Sequence, residues 1–221
     1  MMKKVLFVIT SHDKITEDII TGFWLEELAT PYKIFKEAGY EITLASPKGG
    51  KVPIDPNSIS SDQELADAQE VINRCEDTLP LATVDITPFD AIFLPGGHGT
   101  MFDFPENPEL IHAIESFAQN DKVIAAVCHG PAGLVNVKDP SGKPLVAGKK
   151  VTAFTDSEEA AVKMVEYMPF LLESKLREVG AEVITIDDWQ DHVEVDGKLV
   201  TGQNPQSSQS VANEVVKLLN Q

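Results

Sequence analysis

The chain has 221 residues, 43% hydrophobic and 24% charged, a balance that suits one soluble α/β domain with a sizeable core and excludes a disordered or fibrous protein. Its formal net charge of −17 disfavours nucleic acid and membrane surfaces as partners, because both repel an acidic protein. Two cysteines, Cys75 and Cys128, are too few for a disulfide scaffold, so a reducing cytoplasm is the expected home.

The opening MMKKVLFVITSHDK predicts a buried strand over residues 5–10. The run stops at Thr10 without a small-residue cleavage site, unlike a signal peptide, and no stretch reaches the ~20 apolar residues that span a bilayer. Residues 23–38 have a helical rhythm in Phe23, Leu28, Tyr32 and Phe35, which Pro31 should interrupt or kink. A strand is expected over 41–46. The polar segment 49–79 carries Pro53 and Pro56 and predicts a surface helix near 61–75.

Strands are then expected at 91–94 and 123–127, with a helix over 108–119 between them. A short helix should follow Cys128. Residues 150–154 read as a strand beside the one that carries Cys128, followed by helices within 157–166 and 169–179. A strand at 182–186, a hairpin over 192–201 turning at Asp196-Gly197, and an amphipathic helix over 207–219 complete the chain. The runs VLFVI, AIFL and VIAAV are apolar without alternation, as in strands covered on both faces. The expected fold class is α/β: a flavodoxin-like, doubly wound, mainly parallel sheet sandwiched by helices, one domain over residues 1–221.

Ala126-Val127-Cys128-His129-Gly130 follows one of these runs and has the small-x-nucleophile-x-small pattern of a nucleophile elbow. Such a turn leaves no room for side chains two positions either side of the nucleophile, which Ala126 and Gly130 satisfy. A free cysteine is more often a small inert core residue, but the elbow spacing and the adjacent His129 favour a thiol nucleophile with a neighbouring base. A helix N-terminus beside the sulfur predicts a depressed thiol pKa for Cys128 and an ordinary one for Cys75. Leu94-Pro95-Gly96-Gly97-His98-Gly99-Thr100 lacks dinucleotide-binding spacing. Its glycines can instead bring backbone N–H groups to a developing oxyanion, and the N–H groups of Gly97 and His129 are the candidates for that hole.

Together AAVCHGPAGL, LPGGHGTMFDFP, LASPKGG and VTGQNPQSS resemble the ThiJ/PfpI superfamily, within the class I glutamine-amidotransferase-like folds. The resemblance covers nearly the whole chain. GHGTMFDFP and the long insertion after SPKGG are similar to the heat-shock-chaperone-like branch, which includes glutathione-independent glyoxalases (glyoxalase III, also called D-lactate dehydratase). The resemblance implies a catalytic set of Cys128, His129, an acid on the first helix at Glu27 (Glu26 being the other choice), and a third triad member at Glu159, with Asp156 and Glu158 as less favoured substitutes. Each acid could equally be part of a solvated helix face in a chain with 35 acidic residues. His192-Val193-Glu194 has the His-x-Glu spacing of an amidotransferase triad, but an exposed strand is its plainer reading.

The implied activity is conversion of methylglyoxal or a similar small 2-oxoaldehyde to a 2-hydroxy acid, with no cofactor and no metal. The oxidation and the reduction occur within one substrate molecule. A Glu27 carboxyl buried beside sulfur should have a raised pKa. The resemblance also implies a homodimer. It keeps open a stress-response chaperone and a cysteine peptidase or amidase as alternatives, and a low-pKa thiol would equally suit a redox sensor.

Overall fold

In the computed structural model, which describes residues 2–221, the apolar runs form the centre of a seven-stranded sheet. The strands are β1 (Lys4–Val8), β2 (Glu41–Ser46), β3 (Leu79–Pro80), β4 (Ala91–Leu94), β5 (Val123–Val127), β6 (Lys150–Val151), β7 (Glu182–Val183), β8 (Val193–Asp196) and β9 (Leu199–Gly202). The sheet order is β3-β2-β1-β4-β5-β9-β8, and β6 pairs with β7 in a separate two-stranded ladder. Every pairing is parallel except that of β8 with β9. This is the doubly wound, flavodoxin-like arrangement expected. The winding reverses between β1 and β4, and the crevice beyond their carboxyl ends is where such sheets hold their sites.

Both faces of the sheet are buried, which explains the unbroken apolar runs. Val5, Phe7, Phe93 and Ala125 face α1 (Leu25–Glu37) and the C-terminal helix, while Leu6, Ile92, Leu94 and Ile124 pack on the opposite side with Leu110, Ile114 and Phe117. The remaining helices in chain order are α2 (Asp62–Asp67), α3 (Gln69–Arg74), α4 (Thr100–Asp103), α5 (Pro108–Gln119), α6 (Asp156–Ala161), α7 (Leu172–Glu178) and α8 (Ser208–Leu219). None among the described residues is long and apolar enough to cross a membrane.

Several expectations need correction. Helix α1 runs on through Pro31. The proline costs one N–H, that which would have met the Glu27 carbonyl, and the burial of Leu28, Tyr32 and Phe35 outweighs it. The expected surface helix is two helices, broken at Ala68. The segment after Cys128 is only a five-residue 3-10 turn, Gly130–Leu134. Residues 150–154 do not form a full strand: β6 pairs with β7, and the chain beyond it reaches the main sheet through Thr152 N–H to Thr201 Oγ1 and Phe154 N–H to the Cys128 carbonyl. The hairpin turns one residue later than expected, at Gly197-Lys198, with Asp196 paired to Leu199 and Gly197 at φ +61°.

Candidate active site

Cys128 is the first residue beyond β5 and has φ +58°, a left-handed conformation that is strained for a residue with a Cβ. Neighbours on both sides hold it there. Its N–H donates to the Gly202 carbonyl at 3.0 Å, and its carbonyl accepts from Phe154 N–H at 2.9 Å. Gly130 packs against the end of β4 so closely that a Cβ there would lie 2.1 Å from the Leu94 oxygen. The elbow spacing is thus a packing requirement.

The His129 ring sits between two partners. Nδ1 lies 3.4 Å from Cys128 Sγ, and Nε2 lies 2.6 Å from Glu159 Oε2. With Nε2–H donating to the carboxylate, Nδ1 presents its lone pair to the thiol. The Phe154 ring packs against the imidazole at a centroid distance of 4.3 Å. Burial lowers the His129 pKa, and a charge on His98 would lower it further, so the resting imidazole is neutral. Burial works against the Glu159 charge too, but the His129 charge and the hydrogen bonds from both histidines hold that carboxyl at about 2.

Glu159 reaches His129 because of how α6 begins. Thr155 caps the helix in a capping box with Glu158, whose carboxylate turns back onto the Thr155 N–H. One residue on, about 100° around the helix, Glu159 points to the imidazole. Glu158 itself is fully buried. It also accepts from Trp189 N–H at 2.9 Å, from Asn204 Nδ2 at 2.9 Å and from Gln203 Nε2 at 3.3 Å. Asp156, the other substitute for the third member, faces away: its carboxylate binds Ser174 on α7. His192 and Glu194 are 3.0 Å apart on the outer hairpin, with His192 Nε2 lacking an aligned acceptor, and their contacts do not include Cys128.

Glu27 lies in the first turn of α1, fully buried. Its Oε2 accepts from Gly96 N–H at 2.5 Å. Oε1 has no aligned partner and lies beside the Cys128 thiol. Burial outweighs the neighbouring Cys128 thiol and the Gly96 hydrogen bond and lifts the carboxyl to about 8, so it is protonated at neutral pH. Glu26 instead lines a surface groove against α2 and α3.

The thiol departs from expectation. Burial pushes Cys128 up, and ionisation of Glu27 would push it further, just as burial pushes Cys75 up to about 12. The helix dipole expected to oppose this is missing, because the following 3-10 turn is a single short one. The resting pair is therefore thiol and neutral imidazole.

The N–H groups of Gly97 and His129 have no hydrogen-bond partner among the described residues. Thr100 Oγ1 lies 2.8 Å from the Gly97 carbonyl and 2.9 Å from the His129 carbonyl, and so pins the two turns together. Gly96 could not carry a side chain: a Cβ would fall within 2.7 Å of Glu27 Oε2, His129 N and the Val127 oxygen.

Sequence reasoning missed the contacts of three residues of the cluster, of which only Glu158 carries a candidate role, as a substitute for Glu159. His98 Nε2 lies 2.6 Å from Glu159 Oε1, so Glu159 is shared between two imidazoles. The other two are Glu158 and Thr100. Only Glu158 had a sequence signal, the Thr-x-x-Glu capping box.

The chain belongs to the DJ-1/PfpI family, whose family model matches residues 13–218. A glutathione-independent glyoxalase of Schizosaccharomyces pombe, hsp3101, is 35% identical, the match covering 97% of this chain and 95% of that protein. The crystal structure of glyoxalase III from Candida albicans superposes with a TM-score of 0.90 at 32% identity, covering 98% of this chain and 97% of that one. The Rapid Encystment Protein 24 KDa of Francisella tularensis superposes with a TM-score of 0.93 at 39% identity, covering 99% of each chain.

Proposed function

We propose that the protein is a glutathione-independent glyoxalase that converts methylglyoxal, or a similar small 2-oxoaldehyde, to the 2-hydroxy acid (the glyoxalase III, or D-lactate dehydratase, reaction). The carrying observation is one buried cysteine thiol that meets both the His129 imidazole, at 3.4 Å, and the buried Glu27 carboxyl. The names of the S. pombe and C. albicans relatives support the same reading.

The groups balance the reaction. The sulfur adds to the aldehyde carbon as His129 Nδ1 takes the thiol proton and Glu27 protonates the aldehyde oxygen, which gives a hemithioacetal. Glu27, now a carboxylate, removes the hydrogen on that carbon while imidazolium protonates the neighbouring keto oxygen, leaving an enediol. Glu27 then returns its proton to the second carbon, and His129 takes the hydroxyl proton from the first. The first carbon has been oxidised to a thioester and the second reduced to an alcohol. The proton on His129 returns to Glu27, directly or through water. A water activated by His129 hydrolyses the thioester and restores the thiol. The unpartnered N–H groups of Gly97 and His129 suit the oxygen that gains charge at each addition. Glu159 fixes the His129 tautomer. As a cysteine-dependent lyase with a hydrolytic last step, the enzyme borrows no electrons and needs no redox cofactor. The family resemblance further supports a homodimer, and the two free cysteines suit a reducing cytoplasm.

The adduct gives the test. Glu27→Gln, which leaves His129 to take the thiol proton but cannot remove the carbon-bound hydrogen, should stall at the hemithioacetal, and native mass spectrometry in methylglyoxal should show a rise of one substrate, mapped to Cys128. An unmodified Cys128, or an adduct that persists in Cys128→Ala, would overturn the reading.

A further inference from the structure

Glu159 presents one carboxylate oxygen to each of two imidazoles, His98 on one side and His129 on the other, both at 2.6 Å. The candidate ligand atoms of the three residues lie within 4.8 Å of one another. Two imidazole nitrogens and a carboxylate are the donor set of a zinc site with an open fourth position. Zinc–nitrogen and zinc–oxygen bonds of about 2.0–2.2 Å at tetrahedral angles would separate neighbouring donors by roughly 3.3–3.6 Å, so each 2.6 Å contact must lengthen by about 1 Å, within the 4.8 Å spread of the set. Among the described residues no Lys or Arg pairs with Glu159 or with the adjacent buried Glu158, in a chain of net charge −17. The His98 side chain is 12% exposed while those of His129 and Glu159 are 2% and 3% exposed, which puts the way in on the His98 side.

We propose that His98, His129 and Glu159 bind one divalent zinc ion, with water as the remaining ligand, and that the bound ion switches the site off. Binding uses the Nε2 lone pairs, so the His129 proton moves to Nδ1. The nitrogen that faces Cys128 Sγ at 3.4 Å then becomes a donor and can no longer take the thiol proton. The inhibition rests on the proposed reaction, whereas the binding does not. The competing site is Cys128 Sγ with His129 Nδ1 and the neighbouring Glu27 carboxyl, whose ligand atoms do not form a compact set as those of His98, His129 and Glu159 do.

Titration with zinc and with cobalt(II), by calorimetry and absorption, tests binding without turnover. The expected result is one ion per chain with micromolar or tighter affinity. Cys128→Ala should keep that affinity within about threefold, and cobalt should show no thiolate charge-transfer band. His98→Ala should weaken binding at least about 10-fold, by the scale of shell substitutions in metal sites. His98→Gln, which can still donate to Glu159, covers the case in which the alanine variant misfolds, and should weaken binding as much. Loss of the ion in Cys128→Ala with retention in both His98 variants would overturn the proposal, as would no binding by the wild type at about 100 μM zinc, far above the affinity range of such sites.

Discussion

Glu27 lies beside the Cys128 thiol and Glu159 bonds the His129 ring, and their surroundings drive them in opposite directions. Burial raises Glu27 from 4.5 to about 8, so the folded state holds a proton that the unfolded chain releases. Its contribution to stability is complete below pH 4.5 and is lost as pH rises to about 8. Glu27→Gln cannot ionise. Its stability advantage over wild type in urea melts should therefore grow across that window, by up to about 5 kcal/mol from the size of the shift, while its turnover falls below detection. A gap that stays flat with pH would mean that Glu27 is charged at rest. Glu159 is held at about 2, so its contribution is complete above 4.5 and is lost as pH falls towards 2. Glu159→Gln should lower kcat by at least about 100-fold with KM nearly unchanged, as removal of an orienting carboxylate does. The sequence offers Glu158 only as a substitute for Glu159, but its carboxylate holds Thr155, Trp189, Gln203 and Asn204 together. Glu158→Gln should cost about 2–4 kcal/mol in a denaturant melt, because it leaves buried donors unpaired.

At the scale of elements, the turns decide more than the helices. The Gly130 site has no room for a methyl group against the Leu94 carbonyl, whereas Gly142 has nothing within 4 Å and only its φ of +85° to oppose a side chain. Gly130→Ala should therefore cost more than about 3 kcal/mol and remove activity, and Gly142→Ala about 1 kcal/mol with activity intact, as read from thermal melts and initial rates. Equal costs would mean that the elbow tolerates a larger residue. The elements read to the residue from sequence are β2, β4, β5 and α5, and in the last three burial pattern and terminal residues agree: Pro108 opens α5 behind an Asn107 cap, and β4 and β5 are apolar throughout. Residues 150–154 misled because apolar composition marks burial and not pairing. Val151, Ala153 and Phe154 are buried, yet only Val151 among them lies in a ladder strand.

At the scale of the whole molecule, the site is where β1, β4 and β5 end and the winding reverses. Cys128 and His129 could be located from AAVCHG because an elbow is a local device, fixed by five consecutive residues. Glu27 and Glu159 were reachable only through resemblance, since nothing local separates them from other acids on helices. His98 could not be found at all: its partner lies 61 residues away, and only the packing of the two turns brings them to 2.6 Å. The central claim is that thiol, imidazole and protonated carboxyl together carry out an internal oxidation–reduction. The most direct measurement is lactate formed from methylglyoxal by the purified protein without glutathione, compared with Cys128→Ala and Glu27→Gln. The account predicts stoichiometric lactate with the wild type and none above the uncatalysed rate with either variant; methylglyoxal left unconsumed by the wild type, or lactate still produced after loss of Cys128, would contradict it.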